Sequence, residues 1–185
     1  VVGEQYPYTF TGGSISGALL PRWAQTGSRE DTLELIADPE QRDRLAGAVK
    51  TNLYRRGGAD RVRISAFPPD SKLEGLSLAA VAQQRDVEVV DLVFELFEKA
   101  DASLVTFSLQ ERDVLEFQRF PHVMIGSDGS ALSTEGPLSK GHPHPRNFGT
   151  FPRALRKFVR EEGLYSLEEG IRRMTSFPAQ MLGLK

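Results

Sequence analysis

The residues with the clearest capacity for chemistry lie in "HVMIGSDGSALSTEGPLSKGHPHPRNFG", His122 to Gly149. A short apolar run, Val123 to Gly126, stops at Ser127-Asp128-Gly129, and a long polar loop then carries His142, His144 and Arg146. A carboxylate placed just past a buried strand can take a proton from an attacking water and return it to a leaving group. The same triplet also makes an ordinary turn, in which Asp bonds nearby backbone and Gly supplies a positive φ. Position alone leaves both readings of Asp128 open.

The elements that must position these groups fall into three zones. Residues 1–28 are rich in Gly, Ser, Thr and aromatics and show neither the period of two nor that of 3.6, as expected of a strand end running into a loop. Residues 29–117 read as a compact α/β unit. Asp38 before Pro39 predicts a helix start, Leu45, Val49 and Leu53 recur at steps of four, and Gly57-Gly58 ends the helix. "RVRISAF" alternates Val62, Ile64 and Ala66 with polar residues, as a half-buried strand does, and "ASLVTFSL" predicts a second strand. Ser77 predicts a cap for a short helix, Val89, Leu92, Val93, Leu96 and Phe97 an apolar helical stripe, and Ser108 with Glu111 a capping box. In residues 118–185 the strand around Val123 lacks alternation, which suits a strand covered on both faces. Pro152 predicts the start of a helix carrying Leu155, Phe158 and Val159, and Ser166 with Glu169 caps another carrying Ile171 and Met174. Strand, long loop, helix and helix is the order of one unit of a (β/α)8 barrel, whose chemistry sits on loops at the carboxyl ends of the strands.

The 185 residues are 39% hydrophobic and 26% charged, an ordinary globular composition. With 23 Lys and Arg against 25 Asp and Glu, the net charge of -2 gives no electrostatic case for a nucleic-acid or membrane-surface partner. No run approaches the roughly 18 apolar residues that span a bilayer. The absence of cysteine excludes disulfide and thiol chemistry and fits a cytoplasmic protein. The sequence begins without methionine, in strand-like material, and reads as a segment of a longer chain.

Three separated motifs, "EQYPYTFTGGS", "MIGSDG" with "HPRNFGTFPRALRKFVRE", and "LEEGIRRMTSFPAQMLGL", resemble in order and spacing the C-terminal half of the D-aminoacylase (N-acyl-D-amino-acid deacylase) branch of the amidohydrolase superfamily. The resemblance covers nearly the whole chain. It implies the C-terminal part of a metal-dependent (β/α)8 barrel, with residues 29–117 as an α/β insertion, or lid, between strands seven and eight. It also implies a zinc cofactor and a small N-acyl amino acid as substrate.

By this resemblance Asp128 corresponds to the strand-eight aspartate that takes a proton from a zinc-bound water and passes it to the departing amine. Tyr6 corresponds to a tyrosine that hydrogen-bonds the oxygen on which charge develops. Arg146 corresponds to an arginine that holds the substrate's α-carboxylate, for which the two parallel donors of a guanidinium are suited. Ser14, and after it Ser16, match small polar residues near the substrate. Each also has a plainer reading: aromatic packing beside Pro7 for Tyr6, a surface arginine for Arg146, loop serines for Ser14 and Ser16. The family's metal-binding H-x-H pair belongs at the first barrel strand, so His142 and His144, set between prolines after the last, read instead as loop residues, with His144 orienting the loop or lining the pocket. Asp128 is the one candidate zinc ligand, and the remaining ligands are expected outside these residues. Two other functions stay open: a cyclic-amide hydrolase of the same superfamily, resembling dihydroorotase or hydantoinase, and a non-catalytic lid or interaction module. The isolated chain is expected to bind zinc weakly, to lack turnover, and to self-associate or pair with a missing barrel half through its open strand edges.

Overall fold

A computed structural model describes residues 1–184. The strands in chain order are β1 (Gly3–Gln5), β2 (Phe10–Ser14), β3 (Val62–Ala66), β4 (Ser103–Phe107) and β5 (Val123–Ile125). The helices are α1 (Ile15–Leu19), α2 (Arg29–Ala37), α3 (Pro39–Arg55), α4 (Leu78–Arg85), α5 (Val89–Lys99), α6 (Glu111–Arg119) and α7 (Arg146–Ala154). A π-helical run, Leu155–Glu161, continues from α7, and α8 (Leu167–Met174) and α9 (Ser176–Met181) follow. The chain divides into two compact units. The first comprises Val1–Thr9, Leu109–Ser139 and the stretch from Pro145 on; the second comprises Phe10–Ser108 and Lys140–His144.

In the first unit β1 and β5 pair in parallel, Gly3 opposite Val123, Glu4 opposite Met124 and Gln5 opposite Ile125. Both carboxyl ends therefore point the same way, and whatever follows Gln5 and Ile125 emerges side by side. Val114, Ile125, Ala154 and Phe158 form the buried centre, with Leu109, Leu164, Tyr165 and Met174 packed against it. Beneath β5 lies a buried polar clamp. Arg173, 3% exposed, donates to the carbonyls of Gln118 (2.8 Å) and Val123 (3.3 Å) and to Glu169 (2.8 Å), so the start of the strand is tied to α8.

The second unit is built on the antiparallel sheet β2-β4-β3, with α1, α3, α4 and α5 contributing to its core. Ile15, Leu19, Leu45, Val49, Leu92 and Leu104 are among the residues that exclude solvent there. The helix starts read from sequence stand at Asp38, whose carboxylate accepts from Gln41 N (2.9 Å), and at Ser77, whose hydroxyl accepts from Ala80 N (3.2 Å). The strand β2 and the helix α1 add order to a region that sequence periodicity left as loop, and α2 follows directly after it. Two glycines in "FTGGS" dilute the strand pattern, and Ser28 with Asp31 forms the capping box of α2.

Two predicted helix starts are corrected. Ser108 does not cap α6: its hydroxyl accepts from Arg56 Nη1 at 2.5 Å, and the helix begins three residues later, behind Gln110. Pro152 does not begin a helix either; it lies inside α7, which starts at Arg146 because Pro145 already has helical φ and ψ (-57°, -16°) and its carbonyl accepts from Gly149 N at 2.9 Å. At Ser166 the hydroxyl accepts from Glu169 N (3.3 Å) as predicted, while the Glu169 carboxylate turns to Arg172 and Arg173 instead of closing the box.

Candidate active-site residues

Parallel pairing of β1 with β5 brings Tyr6, one residue past β1, and Asp128, three past β5, to the same end of a sheet. Asp128 has a φ of 45°, in the left-handed region that most side chains avoid and Asp tolerates. The turn reading of Ser-Asp-Gly is thus realised, with the Ser127 hydroxyl accepting from Gly129 N (3.2 Å). The turn does not bury the carboxylate. The Asp128 side chain is 70% exposed, and its Oδ2 lies 2.8 Å from Arg146 Nη1. The Arg146 side chain is only 14% exposed, and its guanidinium stacks over the Tyr6 ring, 5.1 Å from the centroid. Three groups read from separate motifs form one contiguous cluster within the first unit.

Helix α7 supports this cluster at a second level. Arg146 and Arg153 are seven residues apart on the helix, two turns, and so share a face. Arg153 stacks over the Tyr8 ring (5.0 Å) and donates through Nε to the Pro7 carbonyl at 2.6 Å. The Tyr8 hydroxyl donates to the Pro145 carbonyl at 3.5 Å, and burial raises its pKa against the charge of Arg153. A Cβ at Gly149 would stand 2.7 Å from that hydroxyl, so only glycine leaves Tyr8 its place there. The whole Tyr6-Pro7-Tyr8 segment is therefore held against α7 by two arginine–tyrosine contacts. Sequence reasoning named Tyr6 and Arg146 but missed Tyr8, Gly149 and Arg153; the seven-residue spacing of the two arginines was the available signal.

An open cavity of about 470 Å³ adjoins the cluster, with Glu4, Gln5, Tyr6, Asp113, Gly126 and Asp128 among its lining residues. The Glu4 carboxylate lies across Gly126, where any Cβ would overlap it. Although three carboxylates line this cavity, no three His, Cys, Asp or Glu side chains among the described residues converge closely enough to hold a metal ion. Arg146 further places a positive charge against Asp128 where a cation would have to approach. The residues present do not by themselves constitute a zinc site.

Ser14 and His144 belong to the second unit. The Ser14 hydroxyl caps α1, accepting from Gly17 N at 3.2 Å, and lies 2.9 Å from the Ser16 hydroxyl, which in turn donates to Asp101. His144 is 4% exposed and its Nε2 lies 2.9 Å from the Phe10 carbonyl, tying the loop to β2. The backbone N–H of His142 donates to the Ser65 carbonyl at 2.6 Å, a second tie of that loop.

No family model matches the chain. It is 36% identical over 140 residues to a D-aminoacylase of Alcaligenes xylosoxydans xylosoxydans, which covers 76% of this chain and 27% of that protein. An N-acyl-D-glutamate deacylase of the same organism is 33% identical over 125 residues, covering 68% of this chain and 24% of that one. Among solved structures, a D-aminoacylase described as defining a novel subset of amidohydrolases superposes with a TM-score of 0.63 at 27% identity, covering 99% of this chain and 29% of its own. The N-acyl-D-glutamate deacylase of Bordetella bronchiseptica, complexed with zinc and a phosphonate mimic of the tetrahedral intermediate, gives 0.61 at 26% identity, covering 97% and 28%. The chain thus spans about a quarter of the length of these relatives. With this likeness running through both the sequence and the fold, the chain belongs to the D-aminoacylase family of amidohydrolases.

Proposed function

We propose that these residues are the C-terminal catalytic segment of a zinc-dependent amidohydrolase that cleaves the amide bond of N-acyl-D-amino acids. In this reading β1 and β5 are the seventh and eighth strands of a (β/α)8 barrel, and residues 29–117 form the lid inserted between them. The observation that carries the proposal is the Asp128–Arg146–Tyr6 cluster at the shared carboxyl end of two parallel strands.

An amide resists hydrolysis because its carbonyl is a weak electrophile and its amine a poor leaving group unless protonated. Asp128, its side chain 70% exposed, is the group that accepts the proton of the attacking water and delivers it to the amine nitrogen. Arg146 grips the substrate's α-carboxylate through its planar fork. In the structure Asp128 Oδ2 lies 2.8 Å from one nitrogen of that fork, so an arriving carboxylate competes with it for Arg146 and frees the base it displaces. The Tyr6 hydroxyl donates to the carbonyl oxygen as charge develops on it. Ser14 and His144, in the second unit, act there as the cap of α1 and as the tie of a loop to β2. Zinc is held mainly by side chains beyond these residues, with Asp128 as the one ligand offered here.

The test uses the longer enzyme that contains this segment. Asp128→Asn should lower kcat by about a hundredfold or more while leaving the circular dichroism unchanged, the usual scale for loss of a positioned proton-transfer group. Arg146→Lys, which keeps the charge and loses the fork, should raise KM for an N-acyl-D-amino acid and not for its carboxamide. Equal effects on both substrates, or on neither, would remove Arg146 from the carboxylate role.

A further inference from the structure

The second unit contains a cleft of about 560 Å³ in which three arginines, Arg22, Arg55 and Arg56, line one space together with Ala18, Leu20 and Asn52. A smaller recess of about 310 Å³ shares Arg55 and Arg56. Neither has an Asp or Glu in its lining. Most other arginines find carboxylates or ring faces: Arg42 pairs with Asp91 at 2.6 Å and lies over Phe94, Arg85 pairs with Glu95, and Arg44 lies over Trp23. Among the described residues Arg22, Arg55 and Arg56 have neither.

Arg56 is the informative member. It is half-buried, and its side chain is fixed by three neutral acceptors: the Ala18 carbonyl (3.2 Å), the Thr106 hydroxyl (2.8 Å) and the Ser108 hydroxyl (2.5 Å). Burial lowers its pKa with no anion opposing the effect. A cation held in place by neutral groups at the wall of a cleft, beside two more cations, is an arrangement that only an incoming anion neutralises. The end of α3 accounts for one basic residue, since a cation in the last turn suits the helix dipole. It does not account for three facing one cleft.

We propose that this cleft binds a phosphate monoester. The guanidinium fork matches phosphate oxygens, and a compact dianion can draw several guanidinium groups at once, where a monocarboxylate brings half the charge. The volume exceeds what a phosphate alone fills, and Ala18, Leu20, Pro21 and Ala48 provide apolar wall for the ester's organic body. The site is independent of the deacylase reading and makes no use of the Asp128 cluster.

Isothermal titration of the protein with phenyl phosphate at low ionic strength tests the proposal, with benzoate as the carboxylate counterpart. The expected result is one saturable site of Kd about 1 mM or tighter, at least tenfold weaker for benzoate, and weakened as salt is raised to about 0.15 M. Arg56→Gln should lose binding tenfold or more. The double variant Arg22→Gln/Arg55→Gln, at exposed positions outside the core, should lose it equally, while Arg112→Glu, on an 85% exposed side chain in the first unit, should bind normally. Absence of saturation, equal binding of benzoate, retention of binding by the double variant, or loss in Arg112→Glu would each overturn the assignment.

Discussion

Glu169 anchors the clamp beneath β5, and Glu169→Gln tests how much that clamp contributes to the first unit. Arg172 donates to it through Nε (2.6 Å) and Nη2 (2.9 Å), and the buried Arg173 through Nε (2.8 Å). These hydrogen bonds, that of Arg172 foremost, outweigh burial and hold the carboxyl at about 2, against an ordinary 4.5. A carboxyl whose pKa falls on folding stabilises the folded state above its unfolded value, and that stabilisation disappears as pH drops through the folded value. The window therefore runs from about 4.5 down to about 2. At about 1.4 kcal/mol per pH unit the ceiling is about 3.4 kcal/mol. Solvent reaches 28% of the Glu169 side chain, which reduces the working figure to about 2 kcal/mol. Urea unfolding followed by circular dichroism should show the variant's midpoint lowered by about 1–2 M at pH 7, given slopes of about 1–2 kcal/mol/M. The two proteins should then converge in stability as pH falls towards 2. A constant difference across that range would mean that the ion pair contributes nothing and that Gln is merely packed less well.

Other consequences can be checked in the same way. Tyr165, pushed to about 12 chiefly by burial, stabilises the fold below pH 10 and loses that contribution as pH rises towards 12; Tyr165→Phe should abolish this alkaline component, read from midpoints between pH 9 and 12. Gly149→Ala should change stability little, because displacement of the Tyr8 hydroxyl offsets the better helix propensity. Introduced instead into Tyr8→Phe, the same substitution should stabilise by about 0.5–1 kcal/mol in thermal unfolding. Identical effects in both backgrounds would show that the two residues do not meet.

What the sequence disclosed and what it withheld divide along the range of the interaction. Caps at Asp38 and Ser77 were legible because a side chain and the amide it accepts from lie three residues apart. Ser108 misled because its hydroxyl is taken by Arg56, fifty-two residues away, a competition that no local pattern records. The strand β2 was hidden for a related reason: "FTGGS" has little strand character, and it is made a strand by β4, paired Phe10 to Phe107 and Ser14 to Ser103. Pro152 looked like a helix start because proline favours the first turn, yet Pro145 begins the helix, and the chain beyond Ala154 passes into π geometry.

The candidate site follows the same division. Tyr6, Asp128 and Arg146 could be named singly from motifs, but their meeting depends on parallel pairing of strands nearly 120 residues apart and on a loop that returns Arg146 to the strand ends. The two sequence readings of Asp128 turn out not to compete. The left-handed turn at φ 45° is the means by which the chain leaves β5 abruptly enough to keep the carboxylate out of the core, exposed and 2.8 Å from Arg146. A strained residue persists only where its surroundings over-determine it. Here the Ser127–Gly129 hydrogen bond on one side and Asn147, whose carbonyl oxygen accepts from Ser130 N at 2.7 Å, on the other fix that turn in place.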